Sequence, residues 1–376
     1  MKRYFIAATL ITTALLFSCK KNGTEMNAKH SWSELPSNGA IFSAYNYSED
    51  VRSHFSDPTS GALCWDADDD IAVYSMDFSA GIPFNTIKSG VAYIDRYYAG
   101  QTSAKFKSLL SKEEWFDSDD QNATRKFFGY YPCNGMVQTI KNDYPYGEAG
   151  IIFDVKGTQS IGKDDSFSKF QILVSEPKEV SLSDETINLG AFRPITALLR
   201  FNIESEIDVD FKISQIDILL GVRPYFENGM FGSFGEEMAI SGTFLLSMDL
   251  TNGGFSGINP MYLELDGRVQ LLPEEAFVPG DSPEKYYYAV VCPTFEVPED
   301  EDLYLAVMAY SEGTYTKGDD VSNESSLYKI GMLRLENGFQ SGHRYDFTVK
   351  FDKTGSMKIG NLTTINLGEY DIIDWE

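Results

Sequence analysis

Arg344-Tyr345-Asp346-Phe347-Thr348-Val349-Lys350-Phe351-Asp352 is the stretch that decides the fold class. At a period of two residues, Tyr345, Phe347, Val349 and Phe351 share one face of an extended chain and the charged or hydroxyl side chains share the other, as in a half-buried β-strand. Leu199, Phe201 and Ile203 alternate in the same way against Arg200, Asn202 and Glu204. Leu303 to Tyr310 is apolar on both faces, which suits a central strand covered on both sides. Met261 to Leu265, then Asp266-Gly267, then Arg268 to Leu271 reads as a hairpin, because Asp-Gly suits the positive backbone angles of a tight turn. Further strands are expected at Ile41 to Tyr47, Ile71 to Met76, Phe127 to Tyr131, Gln171 to Val174, Phe211 to Leu220, Thr243 to Leu250, Tyr286 to Val291 and Leu327 to Leu335. The best helical periodicity is Ser103 to Leu110, a matter of two turns. Many short strands and few helices predict an all-β chain of antiparallel sandwiches.

The first residues have another logic. Lys2 and Arg3 precede an uncharged run from Tyr4 to Phe17, the layout of a secretory signal peptide. That run is shorter than the about 20 residues a membrane-crossing helix needs. Leu16-Phe17-Ser18-Cys19 matches a bacterial lipobox, so residues 1–18 are expected to be a cleaved lipoprotein signal peptide and Cys19 the lipidated new N-terminus, with Phe17 bulkier than usual. Acyl chains at about 0.8 kcal/mol per buried methylene would tether the mature chain to a membrane. Residues 19–38, rich in Lys, Ser, Asn and Gly, read as a flexible linker.

What remains exceeds the about 250–300 residues that one core serves, so two domains are expected. A polar stretch from Ser175 to Glu185 divides them, giving an N-terminal β-sandwich at 39–182 and a C-terminal one at 183–376. Phe (26) and Tyr (22) are abundant, so aromatic side chains are available to both cores. The net charge of −25 argues against nucleic acid, whose binding depends on Lys and Arg neutralising phosphates.

Chemistry has little to draw on. His30, His54 and His343 show no metalloprotease spacing, and neither a nucleophile elbow nor a phosphate-binding glycine loop occurs. No catalysis, metal or cofactor is expected. The run Asp66-Ala67-Asp68-Asp69-Asp70 lacks the glycine of a calcium loop and leads into a strand. Paired carboxylates for glycoside cleavage would meet in space and leave no spacing to read. Tyr286-Tyr287-Tyr288 could stack on sugars or pack within a sheet. Cys64 and Cys133 could form a disulfide if both lie in the first domain; isolated thiols fit as well.

Trp65 followed by Asp69-Asp70-Ile71-Ala72-Val73-Tyr74 resembles a pattern of the fimbrillins, the pilus subunits of Bacteroidetes, with Asp69 where glycine is common. Phe127 to Pro132 is similar to their aromatic Tyr-Tyr-Pro strand, and Arg193 to Phe201 to the strand opening their second domain. Phe339-Gln340-Ser341-Gly342-His343-Arg344-Tyr345 and the terminal Ile373-Asp374-Trp375 also resemble family features. The resemblance implies two tandem transthyretin-like Greek-key sandwiches and a lipoprotein precursor that is anchored at the outer membrane and ends in a cell-surface fimbrium. It also implies an arginine-specific protease that removes the anchor with the first strand, Ile41 to Tyr47, and points to Arg52 as the cleaved residue. The emptied groove would take a strand from another pilus subunit, donated by the C-terminal segment carrying Leu362, Thr364, Ile365, Leu367 and Trp375. That segment could equally complete its own sandwich. Expected partners are other pilus subunits and a host or bacterial surface ligand contacted in adhesion. The alternative is an outer-membrane surface lipoprotein that binds glycans.

Overall fold

Ile71-Ala72-Val73-Tyr74-Ser75-Met76 is buried along its whole length, and a strand of that kind needs cover on both faces. A computed structural model of the chain describes residues 32–46, 65, 67, 69–76, 88–99, 101–133, 149–161, 172–206, 212–227, 230–249, 254–261, 265–280, 286–294, 300–311, 328–353 and 356–366. It shows where the two covers come from.

The first is a ring. β1 (Gly39–Asn46), β2 (Ile71–Met76), β3 (Lys88–Ile94), β4 (Ser103–Ser111), β5 (Thr124–Tyr131), β8 (Leu173–Ser175) and β10 (Ile187–Pro194) pair in the order β2-β3-β4-β1-β10-β8-β5. β5 then pairs back to β2, which closes the circle. β9 (Lys178–Ser181) shares a flank of β5 with β8. The interior is aromatic. Trp65 meets Phe106 and Phe192 edge-on, with centroids 5.1 and 5.2 Å apart, a geometry that adds about 0.5–1.5 kcal/mol per pair beyond area burial. A short helix, α1 (Lys112–Phe116), sends Trp115 and Phe116 into this core. Ser111 and Glu114 form a capping box at its start, satisfying backbone donors that would otherwise be orphaned. The Trp115 carbonyl accepts from Arg125 at 2.8 Å and its indole donates to Ser108 at 2.9 Å.

The outer face of β2 and β5 carries Ala72, Tyr74, Met76, Phe128 and Tyr130. These pack on β6 (Ala149–Val155), β14 (Gly242–Asp249) and β15 (Gly254–Pro260) through Ile151, Phe153, Phe244, Leu246 and Phe255. Both faces of β2 are thereby covered.

A sandwich of two open sheets makes up the rest. One sheet contains β7 (Thr158–Ile161), β12 (Gln215–Glu227), β13 (Met230–Glu237), β16 (Arg268–Pro273), β18 (Leu303–Tyr310) and β19 (Tyr328–Leu335). The other runs β17-β11-β20-β21, with β11 (Ala197–Ser205), β17 (Tyr286–Val291), β20 (His343–Phe351) and β21 (Met357–Asn366). Leu199, Phe201, Ile218, Leu220, Val269, Leu305, Phe347 and Val349 interleave between them. The Phe339–Tyr345 stretch makes a tight turn, with Gly342 at a positive φ of 71° and the Tyr345 hydroxyl accepting from the Gln340 N–H at 2.8 Å. Among the described residues the chain is all-β apart from α1 and a 3-10 turn at Arg96–Tyr98.

Four expectations are corrected. Ser103 to Leu110 is strand, not helix: Ala104, Phe106 and Ser108 point in, Lys105 and Lys107 do not, and β1 and β3 pair along its flanks. A run this short satisfies both periodicities, and the ladders decide between them. The hairpin across Asp266-Gly267 does not form, because β16 has its flanks filled by β12 and β7. Asp266 instead bridges Ser241, and its carboxylate caps the Arg268 N–H at 3.1 Å. Arg193 to Phe201 is two strands, since the chain leaves the ring at Pro194 and joins the four-stranded sheet at Ala197. The limits 39–182 and 183–376 therefore cut across the sheets. β10 follows residue 182 yet lies in the ring, while β6 and β7 precede it and pair with β14 and β16.

Candidate assembly interface

β1 alternates small, large, small on its inner face: Ala40, Phe42 and Ala44 are all buried. Phe42 lies 5.6 Å from the Trp115 ring and 6.3 Å from that of Phe127. The backbone is bonded on both sides. β4 runs antiparallel with Phe42 opposite Phe106, and β10 runs parallel with Phe42 opposite Ile187. Gly39 begins the strand where an added Cβ would lie 2.3 Å from the Ser108 carbonyl, so only glycine fits there. Without β1 the ring would have two unpaired backbone edges facing each other across a gap one strand wide, since neighbouring strands lie about 4.8 Å apart. The Phe42 pocket would lie between them.

β21 is committed differently. It pairs only with β20 in its sheet, at the outer edge, and the register shifts between Asp346 and Thr348. Before that irregularity, Met357 and Ile359 reach the sandwich core. Beyond it, Leu362, Thr363 and Thr364 are exposed, Leu362 to 41%. Thr364 lies opposite Tyr345 and Ile365 opposite Arg344. The structure thus places Leu362, Thr364 and Ile365 on one edge strand, in a different sheet from β1. Cys19, Arg52, Cys64, Leu367 and Trp375 lie outside the described residues, as do residues 1–18 and most of 19–38.

A family model described as fimbrillin-like matches residues 56–375. The chain belongs to the fimbrillin-like family. Its members are adhesion and structural proteins rather than enzymes. No curated protein matches this fimbrillin-like chain. Among solved structures it is similar to a cell adhesion protein of Bacteroides uniformis, at 11% identity over 89% of this chain and 100% of that one, TM-score 0.47. It is similar to a fimbrial protein of Bacteroides vulgatus at 10% identity over 88% and 99%, TM-score 0.41. A protein of Bacteroides thetaiotaomicron named for polysaccharide binding aligns at 9% identity over 88% and 98%, TM-score 0.34.

Other candidate sites in this fimbrillin-like chain have structural partners. Asp69 accepts the Tyr131 hydroxyl at 2.8 Å, and no cluster of three metal-ligating side chains occurs among the described residues. Of the three consecutive tyrosines, Tyr286 lies against the Arg200 guanidinium at 4.2 Å and Tyr287 is buried, stacked on Phe277 at 4.5 Å. Arg200 also pairs with Asp346, which accepts from Arg344 at 3.0 Å. Burial raises the Asp217 carboxyl above its ordinary range against the pull of Gln215 and Arg268. Cys133 is half-buried just beyond β5. Among the described residues no helix is long and apolar enough to cross a membrane. Sequence reasoning missed the exposed Tyr225 and Phe226 near the end of β12, and the buried Gln159 of β7; a polar side chain in a four-residue strand gives no periodicity to read.

Proposed function

We propose that this chain is a structural or accessory subunit of a cell-surface pilus, made as a lipid-anchored precursor and joined to its neighbours by strand exchange. Cys19 holds the precursor at the outer membrane. Cleavage at Arg52, which follows β1 in the chain, releases lipid and β1 together. The gap between β4 and β10 then takes a strand from the next subunit, and the C-terminal segment through Leu362, Thr364, Ile365, Leu367 and Trp375 is the donor. The assembled fimbrium contributes to adhesion.

The observation that carries this reading is the position of β1 in a closed ring. A closed sheet offers no edge to another chain, whereas loss of one stave exposes donors, acceptors and an apolar slot at once. An incoming strand satisfies all three. The contrast within β21 between Met357 and Ile359, which serve their own core, and Leu362, Thr363 and Thr364, which are exposed, supports its role as the start of a donor.

Treatment of purified precursor with an arginine-specific protease is expected to cut at Arg52 and yield a ladder of oligomers. The same chain lacking Leu362 to Glu376 is expected to be cut and to stay monomeric. Normal ladders from that truncation would remove the donor assignment, and a monomer in both cases would remove the assembly mechanism.

A further inference from the structure

An edge strand presents backbone groups that can template a second chain. In the four-stranded sheet the edges are β17 and β21, and the two are finished differently. Along β17, the Val290 N–H donates to the Gln159 Oε1 at 2.9 Å, and the Gln159 Nε2 donates to the Val290 carbonyl at 2.6 Å. One side-chain amide thus supplies both hydrogen bonds that an adjacent strand would make to that residue. The N–H of Cys292, two residues on and facing the same way, donates to the Ile240 carbonyl at 2.9 Å.

Gln159 is held where this requires. It is 1% exposed, and its Nε2 also donates to the Lys156 carbonyl at 3.0 Å. Its strand, β7, pairs in parallel with β16 from Gln270 opposite Thr158 to Pro273 opposite Ile161. The Gly157 carbonyl just before it accepts from the Gln270 N–H at 2.7 Å. The same stretch begins as β6, paired with β14. The segment Ala149–Ile161 therefore bonds to three sheets in succession and reaches the third through one amide. Filling a buried flank of a sandwich calls for apolar volume, and a buried amide is disfavoured unless its polar atoms are paired. Both amide atoms are paired, and their common partner is the edge residue.

We propose that Gln159 is a plug that closes the β17 edge against strand addition by a second copy of this chain. The plug is independent of the donor-strand reading, which concerns β1 and β21.

The test uses the full-length chain without protease. Gln159→Met keeps the side-chain length and removes all three hydrogen bonds. Residue-resolved amide exchange is expected to show Val290 exchanging about tenfold or more faster than in the parent, as for a lost buried hydrogen bond. Ala289 and Val291, whose N–H groups face β11, should keep their protection. Sedimentation velocity should show the variant self-associating at concentrations where the parent is monomeric. Unchanged protection at Val290, or equal acceleration at all three amides, overturns the plug; an exposed Val290 in a chain that stays monomeric overturns its protective role. Should the variant not fold, the parent answers alone. With glutamine side chains labelled with nitrogen-15, the Gln159 amide protons are expected to exchange as slowly as the Val291 N–H while those of exposed Gln101 exchange freely. Free exchange at Gln159 overturns the proposal.

Discussion

In the ring, Phe42 of β1 is buried against Trp115 and Phe127 while its backbone lies between two neighbouring strands. In the sandwich, Met357 and Ile359 of β21 are buried almost as well, but their strand has one sheet neighbour, β20. Similar side-chain burial thus accompanies unlike backbone commitments. Loss of an outer strand shortens an open sheet, which keeps its remaining ladders. Loss of β1 breaks a closed one and leaves two facing, unpaired edges that a single incoming strand can satisfy at once. The proposed receiving and donating parts of the subunit therefore differ in topology more than in composition.

The largest effect is expected from Phe42→Ala, which empties a pocket in the ring. It should cost about 3–5 kcal/mol in denaturant unfolding and speed amide exchange in β4 and β10. Equal acceleration in β12 and β18 would mean that ring and sandwich open as one unit, and the comparison would fail. A pair of glycines gives a sharper contrast. Gly129→Ala in the ring sets a Cβ 2.3 Å from the Phe192 ring and should cost about 1–3 kcal/mol by overpacking. Gly360→Ala in β21 meets nothing within 4 Å and should leave stability within about 0.5 kcal/mol.

Leu362→Asp, at an exposed position of β21, should likewise change monomer stability by no more than about 0.5 kcal/mol while reducing assembly of cleaved chains. A loss above about 1 kcal/mol would place that stretch in its own core and end its candidacy as a donor. The smallest effect concerns Glu206, whose carboxyl is held below its ordinary 4.5 by a hydrogen bond and then by Coulomb attraction from Lys350, 2.8 Å away. Its folded pKa is depressed, so its contribution is present above the ordinary value and fades as pH falls through the lower one. Glu206→Gln should slightly flatten the acid side of the urea midpoint measured against pH, with no difference from the parent where Glu206 is protonated in the folded and unfolded chains alike.

Much of the fold was legible because burial imprints a period on the residues. β2, β17 and β18 begin and end where the alternation and apolar runs predict. α1 was legible in principle: Ser111-x-x-Glu114 before Trp115-Phe116 is a capping signature, but it adjoins a stretch whose two-turn helical period competes with its two-residue one. Strand partners were not legible. β10 joins the ring rather than the strands that follow it, and Gln159 meets Val290 at a separation of 131 residues, since no local pattern encodes a long-range register. Of the proposed assembly site, the first strand could be placed from sequence within two residues at its start. Its role as a stave needed the ring.

A cross-strand disulfide tests that role most directly. Ala44 of β1 and Ala104 of β4 are register partners with both side chains inside the ring, so cysteines there can tie the stave in place. After arginine-specific cleavage, the double cysteine chain is expected to remain monomeric when oxidised and to form the oligomer ladder when reduced. Equal ladders in both states would show that β1 need not leave, and would contradict the account.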